Sequence, residues 1–236
     1  MRKLTKYSIY LAGLICVLYS VIIIVPVGWM GLSSTKKSLE VFRGPWILPE
    51  SVQWQNYTDA WIKVGIGHNF VNSVIITTIS VSLILMLSAM ATFAITRLDF
   101  HINRLVLYLF IGGLFLPKAL MLSPLFILLN NLGLIDSYLG LVPVYIAYSF
   151  PFTIFLLTPF FNNIPVALEE AAIIDGASLY ELFWKIAIPL AKPGLIIAGL
   201  FNVFGIWNEY VFAYTIISSD DLRTLPLGIS NLLLTQ

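Results

Sequence analysis

The chain has 236 residues, 59% of them hydrophobic and 11% charged, about half the charged share of an average soluble domain. A formal net charge of +1 gives no basic or acidic excess that would point to nucleic acid. The single cysteine, Cys16, excludes an intrachain disulfide and a cysteine-based zinc cluster.

Such a composition belongs in a bilayer, whose core of about 30 Å is crossed by about 20 apolar residues as helix but only about 9 to 11 as barrel strand. Five segments reach the helical length. The expected fold is therefore an all-α integral membrane protein, a polytopic helical bundle forming one transmembrane domain over residues 1–236. The first span, residues 7–32, follows the basic start Met1-Arg2-Lys3-Leu4-Thr5-Lys6. Its apolar run exceeds the 7 to 15 or so residues of a cleaved signal and has no small-x-small exit, so it reads as an uncleaved span. The unopposed basic residues set the N-terminus in the cytoplasm. Alternation then puts residues 33–69 outside, 97–104 inside, 129–136 outside, 162–192 inside and the end of the chain outside. In the outer loop, Trp46, Trp54 and Trp61 join Trp29 as an interfacial aromatic belt, with stacking on a sugar as the alternative.

The second span, residues 70–96, carries a stripe of Ser73, Thr77, Ser80, Ser88 and Ala91 that suits helix packing. The third, residues 105–128, holds one charge, Lys118, which either snorkels outward or faces a cavity. The fourth covers residues 138–161. Pro26, Pro124, Pro143 and Pro151 are expected to kink the spans. His68 and His101 fall in separate loops on opposite sides, so they cannot form one metal site, and no catalytic constellation of nucleophile, base and acid is present.

The inner loop, residues 162–192, interrupts this apolar pattern. Pro165 suits a first helical turn, and Gly176 stops a short helix from Val166 to Asp175. Ser178 and Glu181 form a capping-box pattern that starts a second helix, with Leu179, Leu182, Phe183, Ile186 and Leu190 on one face and a Glu181–Lys185 pair. A lipid-surface connector would carry mainly Lys and Arg, whereas this loop holds Glu169, Glu170, Asp175 and Glu181 against Lys185 and Lys192. A docking element for a basic protein and a surface connector both remain open on these features alone.

The fifth span, residues 193–217, places Ala198, Asn202, Gly205 and Glu209 at i, i+4, i+7 and i+11, opposite Leu200, Val203, Phe204, Trp207 and Val211. An ionisable residue within a span costs roughly 3 kcal/mol on insertion scales, so Glu209 is expected to face the bundle interior or an aqueous path. The alternative is a satisfied structural carboxylate near the outer interface.

Glu170-Ala171-Ala172, three residues, Gly176, nine residues, Ile186, one residue and then Ile188-Pro189 resembles the EAA signature of ABC-importer permease subunits, departing only in Ile188 where Leu is usual. Leu116-Pro117, Ser123-Pro124-Leu125, Leu132 to Ser137, Ile164-Pro165 and Trp207-Asn208-Glu209 are similar to sugar-importer permeases of the maltose type, as are Trp46 to Glu50 and Asn56-Tyr57. The resemblance implies a type I importer permease forming half of a sugar pathway, with a sixth span that this sequence, ending at Gln236, does not include. It implies coupling to a cytoplasmic ATPase through Leu168, Glu169, Glu170, Ala171, Ala172, Asp175 and Gly176, and a pathway for which Asn202, Gly205, Asn208 and Glu209 are candidates. No catalytic residue, metal or cofactor is expected in this chain. It has no Gly-Lys pair and so no Walker A loop, leaving ATP and Mg to the partner subunits. The partners implied are a second homologous permease, two ATP-binding subunits, an extracytoplasmic solute-binding protein and membrane lipid, but no nucleic acid. The location implied is a bacterial or archaeal plasma (inner) membrane. An ion-coupled carrier using Glu209 and Lys118 is the alternative, against which stand the few spans and the lack of internal duplication.

Overall fold

A computed structural model describes residues 6–44, 46–63, 65–98 and 101–234, and every regular element among them is a helix. They divide into two compact units, Met1–Val64 and Gly65–Gln236. In the first, α1 (Lys6–Ser34) is an uninterrupted apolar helix with its side chains exposed, as a helix surrounded by hydrocarbon would be. Two short helices follow, α2 (Ser38–Val41) and α3 (Gln55–Ile62). The Asn56 amide donates to the carbonyls of Ser34 and Lys36, both at 2.9 Å, which fastens the start of α3 to the end of α1.

The second unit is built around α4 (Ile66–Arg97), followed by α5 (Asn103–Gly113), α6 (Lys118–Asn131) and α7 (Tyr138–Asn162). After these come α8 (Val166–Ile174), α9 (Leu179–Glu181), a π-helical segment (Leu182–Ala187) and α10 (Ile188–Trp207). The last elements are α11 (Val211–Ile216), a 3-10 turn (Asp220–Leu222) and α12 (Leu225–Leu234). The polar stripe of α4 is a packing face: Ser73, Thr77, Ser80 and Ser88 are all buried beside Ile76 and Ile84. Helix α10 buries Ala191, Gly194 and Ala198, and a Cβ on Gly194 would stand 2.5 Å from the Phe160 ring of α7. Small residues give close backbone approach where lipid supplies no hydrophobic drive between helices.

Two spans depart from the expected straight helices. Residues 105–128 form a broken pair, α5 and α6, bent by 99°. Gly112-Gly113 end α5, and Pro117, extended and without an N–H, precedes the first residue of α6, so the ladder cannot cross. The fifth span is displaced from its expected limits of 193–217, because helix runs without a break from Leu179 to Trp207 and stops there. Pro189 falls in the first turn of α10, and the Ile188 N–H reaches the Phe183 carbonyl five residues back, a π-type bond that carries the helix through. The wider turn also rotates the buried face. Leu182, Phe183, Ala187 and Ala191 are buried, while Leu179 and Leu190, expected on that face, are 50% and 46% exposed.

The segment expected as an outer tail folds as α12 against α4. The Leu225 N–H donates to Ser73 Oγ at 2.7 Å, and the Asn72 amide donates to the Asp221 and Arg223 carbonyls. The core has two centres. One gathers Ile84, Leu141, Tyr145 and Phe212 at the α11 end; the other gathers Phe93, Leu157, Phe161 and Phe183 at the α8 end.

Candidate coupling and translocation sites

At the α8 end, Pro165 is the N-cap of α8 and Asp175 its C-cap. Gly176 takes φ +86, the Ala177 N–H returns to the Ala172 carbonyl at 2.9 Å, and the Gly176 N–H returns to Ile173 at 3.0 Å. This is the paired-bond stop that a left-handed residue closes, so the glycine read as a terminator is one for a physical reason. Ser178 then opens the next helix. Its Oγ accepts from the Glu181 N–H, Glu181 returns a bond to the Ser178 N–H, and Lys185 donates to Glu181 at 2.7 Å. Glu181 and Lys185 therefore serve the turn itself.

Of the predicted coupling face, Leu168, Ala171 and Asp175 are exposed, and Ala172 packs against the core. Glu170 is also exposed, as are the apolar side chains of Val166, Ile173 and Ile174. Glu169, expected as an acceptor for partner groups, is instead engaged within the chain. Its Oε1 lies 2.7 Å from Arg97 Nε, with both side chains nearly buried. Arg97 Nη2 also donates to the carbonyls of Phe161 and Ile164, at 2.7 and 2.8 Å. Sequence reading passed over Arg97; its signal was a lone arginine at the terminus of a long apolar run.

At the other end, α10 stops at Trp207, so the spacing from Ala198 to Glu209 does not lie on one helix. Glu209 instead lies one residue before Tyr210, the N-cap of α11, and its carboxylate accepts from the backbone N–H groups of Val211, Phe212 and Ala213 at 3.1 to 3.3 Å. It also accepts from the Tyr145 hydroxyl at 3.2 Å, and Lys118 Nζ stands 3.4 Å away. The lysine lies over the Tyr148 ring, 4.7 Å from its centroid, neither snorkelling freely nor isolated in a cavity. One buried carboxylate thus joins the break in the third span, α7 and the break after α10. A second carboxylate tie on this side, unread in the sequence, is Asp136, which accepts from the N–H groups of Ser218 and Ser219 and from Ser219 Oγ. The Ser219 hydroxyl, then the two N–H groups, lower its pKa.

Between the ends lies a half-open cavity of about 260 Å³, lined by Tyr148, Ser149, Phe152, Phe201, Asn202 and Gly205 among others. Asn202 is nearly buried and donates to Thr153 Oγ1 and the Ala198 carbonyl. Asn208 is exposed, bonded back to the Phe204 carbonyl, and stands apart from this lining.

Residues 84–235 match the binding-protein-dependent transport system inner membrane component family. The chain belongs to that family. Every residue of the two sites, from Arg97 to Glu209, lies inside the match. This permease is 36% identical to the diacetylchitobiose uptake system permease protein NgcG of Streptomyces coelicolor, over 91% of its own length and 71% of the relative's. It is 32% identical to the trehalose transport system permease protein SugB of Mycobacterium tuberculosis, over 88% and 76%. In fold it is similar to a chain of a bacterial ABC transporter involved in the import of the acidic polysaccharide alginate, with TM-score 0.81, 21% identity and coverage of 100% and 89%. It is a membrane-spanning permease subunit of an ABC importer, resident in the inner membrane with several spans. The ion-coupled carrier is not favoured, and the capped state of Glu209 gives that carboxylate other work.

Proposed function

We propose that this permease forms half of the pathway by which a sugar or oligosaccharide crosses the membrane, the other half being a second homologous permease. The observation that carries the reading is the family match over residues 84–235 together with an α8 that leaves Glu170, Leu168 and Ala171 exposed at a rigid turn. The saccharide class is supported by the relatives, whose names specify diacetylchitobiose and trehalose. In this reading α8 sits in a cleft of a cytoplasmic ATP-binding subunit. Two such subunits bind ATP and Mg and perform the hydrolysis, and an extracytoplasmic binding protein delivers solute. The N-terminus is then cytoplasmic, and α11 faces the outer side.

Closure of the two ATPases would push α8, and the bundle would alternate between inward and outward access. The cavity walled by Tyr148, Phe152, Phe201, Asn202 and Gly205 is this chain's share of the pathway, its aromatic faces and amide suited to a sugar's apolar and hydroxyl surfaces. Glu209 acts on it indirectly by fixing α11 and Lys118. Reconstituting the permease with its neighbours tests this directly. Hydrolysis dependent on a P-loop subunit and stimulated by saccharide-loaded binding protein is the expected result, with uptake of labelled oligosaccharide but not of a peptide. Stimulation by peptide alone would overturn the saccharide assignment.

A further inference from the structure

The cation that receives α8 is Arg97, and its geometry is more than a surface pairing. Three groups converge on one guanidinium: the Glu169 carboxylate from α8, the Phe161 carbonyl in the last turn of α7 and the Ile164 carbonyl in the turn before α8. Arg97 is itself the last residue of α4, the helix around which the unit is built. The arginine and glutamate side chains are 11% and 13% exposed, so water screens the pair little. The two carbonyls lie near a helix C-terminus, where the final C=O groups lack partners along the axis and a cation is favoured. A planar guanidinium can serve a carboxylate and two carbonyls at once, which the single ammonium of a lysine cannot do with the same fixed geometry.

Apart from this link, α8 is held loosely. It buries no residue of its own, and Val166, Leu168, Ile173 and Ile174 are 47% to 84% exposed. Its other anchors include the packing of Ala172 and the turn at Gly176 that leads into α9. A helix pushed from outside moves a span only through a connection, and the Arg97–Glu169 ion pair is a side-chain connection from α8 to α4.

We propose that Arg97 is the positioning residue that transmits displacement of α8 to α4 and to the end of α7, so that the Arg97–Glu169 pair sets how much transport each hydrolysed ATP produces. This rests on the reading that α8 docks an ATPase subunit. Arg97 touches neither nucleotide nor solute and acts through the backbone it holds. With the link cut, α8 still docks and still permits hydrolysis, but its motion is absorbed at the loosened 162–165 turn.

The test uses the whole reconstituted importer carrying Arg97→Gln, Glu169→Gln or Arg97→Lys. The readouts are subunit stoichiometry on co-purification, and solute transported per ATP hydrolysed, a ratio that does not depend on how much complex folds. The expected result is unchanged stoichiometry and continued hydrolysis, with transport per ATP falling at least about fivefold in Arg97→Gln, the size of a typical coupling contact. Glu169→Gln should fall in the same direction, and Arg97→Lys, which keeps the charge, should recover part of the ratio. An unchanged ratio in both glutamine variants overturns the proposal, as does an equal fall with Lys and with Gln accompanied by loss of the ATPase subunits. Failure of the underlying reading is distinct: the wild-type permease itself would not retain an ATPase subunit.

Discussion

The two ends of the bundle satisfy stranded backbone groups with opposite charges. At the α8 end a cation, Arg97, receives carbonyls at the terminus of α7; at the α11 end an anion, Glu209, receives three N–H groups at the start of a helix. Each choice follows the direction of the helix dipole. Each is then balanced by a counter-charge, Glu169 at 2.7 Å in one case and Lys118 at 3.4 Å in the other. The difference lies in what the pair joins. Glu209 lies in the core and closes two broken spans on each other, whereas Arg97 ties the central helix α4 to one that leaves most of its surface uncovered. The first pair fixes shape and the second hands on force.

The largest effect that would break this comparison comes from Glu209→Leu. It strips three N–H groups and a tyrosine hydroxyl of their acceptor and takes the counter-charge from the part-exposed Lys118, at a cost of about 1 to 3 kcal/mol for each buried group left unsatisfied. A lower yield of complex and a lower thermal unfolding midpoint are expected. Glu209→Gln, which still accepts, should assemble with a smaller loss while altering transport. Normal stability and uptake in Glu209→Leu would show that the carboxylate is not a needed cap.

A smaller effect sharpens the other side. Gly176 stands at φ +86 with no atom within 4 Å of an added Cβ, so Gly176→Val meets only backbone strain, about 1 to 2 kcal/mol. The stability change should be slight but the turn after α8 mis-set, lowering solute-stimulated hydrolysis, with Gly176→Asn nearer to wild type because asparagine tolerates the left-handed region. Equal hydrolysis in the glycine, asparagine and valine forms would remove the turn from the coupling account.

The smallest expected effect concerns Asp136. Its folded pKa is lowered, so the stability it lends is present above the unfolded carboxylate value of about 3.9 and lost as pH falls through the folded value. The gap in unfolding midpoint between wild type and Asp136→Asn should be constant near neutrality and close in acid. A gap that widens in acid would contradict the sign.

Much of this is legible in the sequence. The helical class came from apolar run length, and the α8 turn from Pro165, Gly176 and the Ser178–Glu181 box, because caps are local chemistry written within a few residues. Three features were not. The break at Pro117 was not among the expected proline kinks, because run length does not register whether the ladder is crossed. The π-turn before Pro189 hid the true start of the fifth span, since a fixed 3.6-residue period assigns Leu179 and Leu190 to a face the wider turn rotates away. The partners of Glu209 and Glu169 lie 91 and 72 positions distant, at Lys118 and Arg97, and periodicity carries no information about such pairs. Glu209 was expected to face the bundle interior or an aqueous path, or else to be a satisfied structural carboxylate; its bonds to the start of α11 could not be foreseen without knowing that the helix ends at Trp207.

The central claim, that the exposed face of α8 couples this permease to an ATP-hydrolysing subunit, is tested most directly by Glu170→Lys in the reconstituted importer. Glu170 is exposed and has no role in the Arg97 link, so the reversal places a like charge against an expected basic rim without disturbing the bundle. Co-purification of the ATPase subunits and saccharide-stimulated hydrolysis should both fall, with membrane insertion unchanged. Full stoichiometry and full stimulation in that variant would contradict the account and leave the 162–192 loop as a lipid-surface connector.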